Sequence, residues 1–466
     1  MPALSGLVVA ILGVLLALIV YGFAWRATSG SSRGTMILVR VGLLLLIAVP
    51  TAVMLLLTPT FDHAKVGRKP QLSSPLEDEV RRAEEDARAT ARAPSTAEVK
   101  RDERLGEGEP ADGAAPPVAT MAEQTAWDVV PVFFGTDREE QPDAKRLHFN
   151  SERGRRLQLG RAMVTVPKAH EVPNIERPWV VKIPYFDVTI YEEAEDPAKH
   201  FTMQEIKRLP QDEFLTLARQ RIAASKSYKD HALVFVHGYN TAFDHAVYRT
   251  AQIAYDLKFD GAAFLYSWPS GGAVASYTYD RESATASEPY LRQFLDLVVK
   301  QTGAKSVSII AHSMGNQPLL DVLKDMRSAA PQEVAINEVI FAAPDVDADN
   351  FANLAQRIEG IAKGVTLYAA SNDRALIISR NFWRNPRAGD VPAAGPLIVP
   401  GIETIDVSAA STDSFALNHS GYAENNDLLQ DIGKLILSGL RPPNERLPAL
   451  VRTSSPKGDY WRYTAP

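Results

Sequence analysis

The pentapeptide AHSMG (311–315) sets a serine between small residues, directly after the apolar run SVSIIA (306–311) and directly before an amphipathic stretch. A strand–turn–helix context of this kind lifts a serine Oγ above a sheet, and the tight turn demands small residues because it brings backbones together. Gly315 meets that demand, and Ala311 stands where a first glycine is usual. A serine hydroxyl is a poor nucleophile near neutrality and needs a base. Where the chain order is Ser, then Asp or Glu, then His, the base lies C-terminal to the acid. Of the nine histidines, only His419 falls in the body beyond Ser313, after IETIDVS (402–408) and before a final helical pattern. Two residues compete as the acid. Asp373 follows VTLYAAS (365–371), and Asp345 ends VIFAAPD (339–345). Either can orient an imidazole and stabilise its cation; placing the acid on the second strand after the nucleophile strand favours Asp373.

Carbonyl chemistry also needs N–H donors aimed at a developing oxyanion. HGYN (237–240) ends the apolar run LVFV. It offers the amide of Tyr239, with Met314 after the serine as the second donor and Asn240 as a further one. His237 precedes the serine and is read as structural, hydrogen-bonding the loop backbone. WPSGG (268–272) is a turn after a strand, with Trp268 either packed within it or lining a substrate pocket. Asp280, Arg281 and Glu282 are expected to form an ion-pair and capping cluster at a helix start. DVDADN (345–350) invites a calcium-loop reading that fails, because Asn350 sits at the glycine position and Gln356 at that of the bidentate Glu. Asp347 and Asp349 are expected to cap the next helix.

These residues sit at the ends of recognisable elements. WDVVPVFF (127–134), QLGRAMVTV (158–166) and the pair WVVKIPYF/DVTIYEE (179–193) read as strands, rich in β-branched and aromatic residues. Strands and helices then alternate: LVFVHG (233–238), a helix over 243–257, AAFLYSW (262–268), a helix over about 282–300, SVSIIA, a helix over about 316–327, VIFAAPD, VTLYAAS, IETIDVS and a helix over about 422–437. Continuous apolar strands between amphipathic helices predict an α/β protein with a mostly parallel sheet covered on both faces. Chemistry in such sheets collects at the carboxyl ends of the strands. The residues named above lie at those ends.

The first 125 residues are different. Leu7 to Trp25 carries no charge, and Met36 to Leu57 is interrupted only by Arg40 and Pro50. Each is close to the roughly 20 apolar residues that span a bilayer. A transmembrane hairpin over 1–60, with helices at about 7–25 and 36–57, is expected rather than a cleaved signal. Basic residues on the two flanks nearly balance, with a slight lean to a cytoplasmic loop and a periplasmic body. Residues 61–125 are rich in Pro, Ala, Glu and Arg and poor in aromatics, which predicts a disordered linker. The folded domain is expected over 126–440, and 441–466 reads as a Pro-rich tail over the surface.

The 466 residues carry 50 Lys+Arg against 56 Asp+Glu, a net charge of −6 that argues against a nucleic-acid partner. With no cysteine, the chain has no disulfide, thiolate metal site, cysteine nucleophile or lipidated Cys anchor. PVFFGTDRE (131–139), VFVHGYN (234–240), FLYSWPSGG (264–272), YDRESA (279–284), AHSMGN (311–316), AAPDVDADNF (342–351), LYAASNDRAL (367–376), IDVSAAS from residue 405 and NHSGY ending at 422 occur in order over 127–437. In these motifs the chain resembles a bacterial α/β-hydrolase family of unknown function, grouped with the esterase/lipase superfamily. The resemblance implies the α/β-hydrolase fold, with Ser313 as nucleophile and His419 as base. The expectation is a serine hydrolase acting on a small-molecule or lipid-like ester, held at the bacterial cytoplasmic membrane by two passes. No cofactor or metal is implied. The alternative is a catalytically silent scaffold or ligand-binding module at the membrane.

Overall fold

Apolar strands that alternate in which face they bury pair into one large sheet. The computed structural model describes residues 126–464 apart from 143–145, 184–187, 273–275, 334–335, 372–375, 377–378, 380–384 and 411–421. The two predicted spans and the linker therefore lie outside the described residues. Among the described residues no helix is long and apolar enough to cross a membrane.

The chain opens with β1 (Trp127–Glu140) and β2 (Phe149–Pro167), then a small hairpin of β3 (Val180–Ile183) and β4 (Val188–Glu192), then β5 (Thr202–Arg208). Helix α1 (Gln211–Ala224) leads into the alternating part: β6 (His231–Val236), α2 (Phe243–Asp256), β7 (Ala262–Ser267), α3 (Tyr277–Ala286) and α4 (Glu288–Gln301). Then come β8 (Ser306–His312), a 3-10 turn (Ser313–Gly315), α5 (Asn316–Ala329), β9 (Ile336–Ala342), α6 (Ala348–Arg357), β10 (Ala362–Ala369) and β11 (Glu403–Asp406). The described chain closes with α7 (Tyr422–Ser438), α8 (Pro443–Arg446), β12 (Leu450–Ser455) and β13 (Gly458–Tyr463).

The main sheet runs β12-β13-β11-β10-β9-β8-β6-β7-β1-β2-β5. From β13 to β1 neighbours are parallel, and the antiparallel pairs stand at the two edges. Side chains alternate between two cores, as a strand's period of two requires. Val234, Ile309 and Phe341 face a core with α1, α4, α5 and α6. Leu233, Ile310 and Ile340 face the other, with α2 and α7. This is the mostly parallel α/β-hydrolase-like sheet that the sequence predicts.

Two expectations need correction. The tail expected over 441–466 is instead a helix and a hairpin that complete one edge of the sheet, with Leu450 and Tyr463 in the core. Pro442, Pro443 and Pro448 precede the strands and Pro456 lies in the turn between them, so none interrupts a strand. Arg446, fully buried, donates to Asp431 on α7 (2.8 Å) and anchors this segment. The helix expected over 282–300 is two helices, because Pro289 lacks the N–H to continue one and is suited to begin another. Ser287 at the break donates to Asp137 (2.6 Å). Within 179–193 the two expected strands, β3 and β4, pair with each other outside the main sheet.

Candidate active site

The order of strands reverses around β6 and β8. From β6 the chain moves outward to β7, then returns to lay β8 on the opposite side of β6 and proceeds away through β9, β10 and β11. Loops leaving the carboxyl ends of two such strands diverge to opposite sides and open a crevice, the usual ligand position in open α/β sheets. Val236 at the end of β6 pairs with Ala311 near the end of β8. HGYN and HSMG therefore emerge side by side.

Ser313, the first residue of the turn after β8, holds a left-handed conformation, φ 50°, that is sterically costly for a residue with a Cβ. His312 before it is extended, and Asn316 after the turn opens α5. The neighbours hold this geometry. Ser313 carbonyl oxygen accepts from the Asp345 amide (3.1 Å) and from Asn316 Nδ2 (2.8 Å), the latter fully buried. Gly315 is obligatory: a Cβ there would fall 2.3 Å from the His237 carbonyl oxygen. A Cβ on Gly238 would lie 2.8 Å from His312 Nδ1 and 2.9 Å from Ser313 Cβ. The two loops are thus in backbone contact beside Ser313, and their glycines make that possible.

His237 plays the structural part expected of it. Its Nδ1 is 2.7 Å from the Gly238 carbonyl, so Nδ1 carries the proton, and its ring stacks on Trp268 at 4.9 Å. Trp268 Nε1 donates back to the His237 carbonyl (2.8 Å). Trp268 is fully buried by these contacts. Burial also keeps the neighbouring imidazoles neutral. It pushes His312 down to about 3 and, with the adjacent Arg138 charge, holds His237 well below the usual histidine range. A base must take up a proton at working pH, so neither of these histidines suits the role.

Asp345 sits at the end of β9, next to Ser313, and is buried. Its carboxylate accepts from Tyr277 (2.7 Å) and Ser379 (2.5 Å) and lies 3.2 Å from Arg387 Nε. Arg387 belongs to a strap whose Ala388 and Gly389 amides bond the carbonyls of Val346 and Pro344. Tyr277 also packs edge-on against the Tyr239 ring at 5.4 Å. Asp347 caps α6 as expected, accepting from the Asp349 and Asn350 amides at 3.1 Å. Asp373 and His419 lie outside the described residues.

Asp280 differs from its expected role. It lies in the first turn of α3 but is fully buried, and its carboxylate accepts from the Asn240 amide (2.9 Å), Ser270 Oγ (2.6 Å) and the Gly271 amide (2.6 Å). The Asn240 amide is thereby committed, which removes it as an oxyanion donor. Beside the Ser313 turn, Arg281, Ala284, Thr285, Met314, Gln317, Asp345 and Asn350 line a pocket of about 140 Å³. Its walls are mostly polar. Sequence reasoning missed Arg387 and Arg138, each an ordinary arginine in a loop or strand end until the fold buries it.

The comparisons with known proteins agree with the motifs. Residues 216–438 match the model of a family described as an alpha/beta hydrolase of unknown function (DUF900). Uncharacterized protein alr1448 of Nostoc sp. is 27% identical over 135 residues, covering 24% of this chain and 35% of that protein. The chain thus matches about a third of the length of this curated relative. The solved structure of the Francisella virulence factor BioJ aligns over 48% of this chain and 90% of that one, at 12% identity and a TM-score of 0.24.

Proposed function

We propose that this chain, whose residues 216–438 match an α/β-hydrolase family of unknown function, is a membrane-anchored serine hydrolase of ester-like substrates. The observation that carries the reading is Ser313 at φ 50°, on the turn after β8 where the strand order reverses. Backbone strain of this kind, about 1–3 kcal/mol, persists at sites where it serves a mechanism. Ser313 Oγ attacks the carbonyl carbon while His419 takes its proton. Asp373 orients the imidazole, with Asp345 as the alternative. The Tyr239 and Met314 amides hold the oxyanion. His419 then protonates the leaving alcohol, and water attacks the acyl-enzyme by the same route in reverse. Residues 7–25 and 36–57 supply the anchor.

The pocket beside Met314 favours short, polar acyl groups over lipid-like chains. At about 140 Å³ it falls well below the few hundred Å³ of pockets for drug-sized ligands. The test is turnover of p-nitrophenyl esters of increasing chain length by the full chain. The acetate and butyrate are expected to give a burst of p-nitrophenol and a kcat/KM at least about tenfold above the dodecanoate, since forcing a chain longer than the pocket against its walls costs about 1–3 kcal/mol. Folded protein that turns over none of them overturns the hydrolase reading. A preference for the dodecanoate overturns only the short-chain assignment.

A further inference from the structure

The loop that carries Tyr239 is held from behind by two buried ionised groups that the proposed mechanism leaves unused. Asp280 grips Asn240 and, through Ser270 and Gly271, the turn after β7. Ser270 Oγ in turn accepts from the Thr241 amide (2.9 Å). Arg138, buried at the end of β1, closes the clamp from the other side. It donates to the carbonyls of Thr241 (2.7 Å), Ser270 (3.2 Å) and Asn150 (3.2 Å) and to Ser267 Oγ (3.0 Å), and its Nη2 lies 3.4 Å from His237 Nε2. The amides of Asn240 and Thr241 are both drawn backward. Asn240 is held at φ 55°, a left-handed conformation that turns the chain sharply just after Tyr239.

We propose that Asp280 and Arg138 are positioning residues for the oxyanion loop: they fix the Tyr239 backbone against Ser313, so that their loss slows the chemical step and leaves substrate affinity nearly unchanged. The inference rests on the serine-hydrolase reading. A loop needed only for folding could be held by neutral turn chemistry. Here a carboxylate and a guanidinium, both excluded from water, meet opposite sides of the same two peptide segments, and such fully satisfied networks rigidify what they hold. Asp280→Asn is the informative change. An amide offers one acceptor oxygen where the carboxylate has two, so its NH2 must face an N–H of either Asn240 or Gly271.

The experiment measures kcat and KM for p-nitrophenyl acetate, the affinity of a boronic acid that mimics the tetrahedral intermediate, and the Tm, in the full chain. Asp280→Asn is expected to lower kcat by roughly 100-fold, the effect of losing one oxyanion donor. KM should stay within about threefold and boronate affinity should fall in step with kcat/KM. Ser270→Ala removes the two bonds of its hydroxyl, to Asp280 and from the Thr241 amide, and keeps the carboxylate, and about a tenfold loss in kcat is expected on the same pattern. If Asp280→Asn does not fold, Ser270→Ala decides. Unchanged kcat in the folded variants, or a loss confined to KM, overturns the positioning role while wild-type turnover leaves the hydrolase reading standing. Wild type that neither turns over esters nor binds the boronate overturns both.

Discussion

Ser313→Ala is expected to lower kcat by about 10⁵–10⁶-fold, because loss of the nucleophile in a serine hydrolase leaves only binding and oxyanion stabilisation. Ser313→Gly should lose as much activity and yet be more stable than wild type. At φ 50° a residue with a Cβ bears a conformational strain of about 1–2 kcal/mol. Glycine removes it, offset in part by about 0.5–1 kcal/mol of extra unfolded-state freedom. A net gain of up to about 1 kcal/mol in a denaturant titration, together with loss of ester turnover, would mark the serine as retained for chemistry. A variant that turns over esters within tenfold of wild type would contradict the assignment. So would a Ser313→Gly chain less stable than wild type, as regards the strain.

The two acid candidates separate by what each substitution damages. Asp373→Asn is expected to lower kcat by roughly 10⁴-fold with little change in stability, because an amide cannot hold the imidazole in the required tautomer. Asp345→Asn should act mainly on stability. Its carboxylate neutralises Arg387, and both side chains are almost wholly buried. Removing one partner of a buried pair strands the other charge, a loss of about 3–5 kcal/mol. The same peptide unit bonds the Ser313 carbonyl, so a modest fall in kcat should accompany the lowered Tm. Kinetics and thermal melts of both variants check this. A 10⁴-fold loss in Asp345→Asn with an unchanged Tm would reverse the assignment and make Asp345 the triad acid.

The alternating part of the fold was legible because its strands are buried on both faces. LVFV, AAFLYS, SVSII and VIFA hold almost nothing polar, and the helices between them have one apolar face. Where burial is one-sided the signal fades. β5 reads TMQEIKR, an edge strand whose charged residues mask its pairing with β2. α1 carries its apolar residues with little amphipathic bias and passes unnoticed between two loops. The closing hairpin was hidden by the prolines before it and in its turn, although only Pro456 and Lys457 separate LVRTSS from GDYWRY.

The site shows the same division. AHSMG and HGYN were legible because a tight turn leaves few residue choices, and Gly315 and Gly238 prove to be sites of backbone contact. Asp280 was misread for a physical reason. A carboxylate in the first turn of a helix is ordinarily a solvated cap, and only the fold shows it turned inward onto three donors. Arg138 and Arg387 carry no local signature at all. Thr241, Ser267 and Ser270 for Arg138, and Asp345 for Arg387, lie far along the chain, so no spacing in the sequence announces these contacts.

The most direct test of the central claim is covalent capture. The full chain is treated with a fluorophosphonate, digested, and the adduct located by mass spectrometry, with Ser313→Ala and His419→Ala treated alongside. The account predicts a single adduct on Ser313, absent from Ser313→Ala and formed at least about 100-fold more slowly in His419→Ala, since an unassisted serine hydroxyl is a poor nucleophile near neutrality. No adduct on folded wild-type protein, or an adduct at another serine that survives Ser313→Ala, would contradict it.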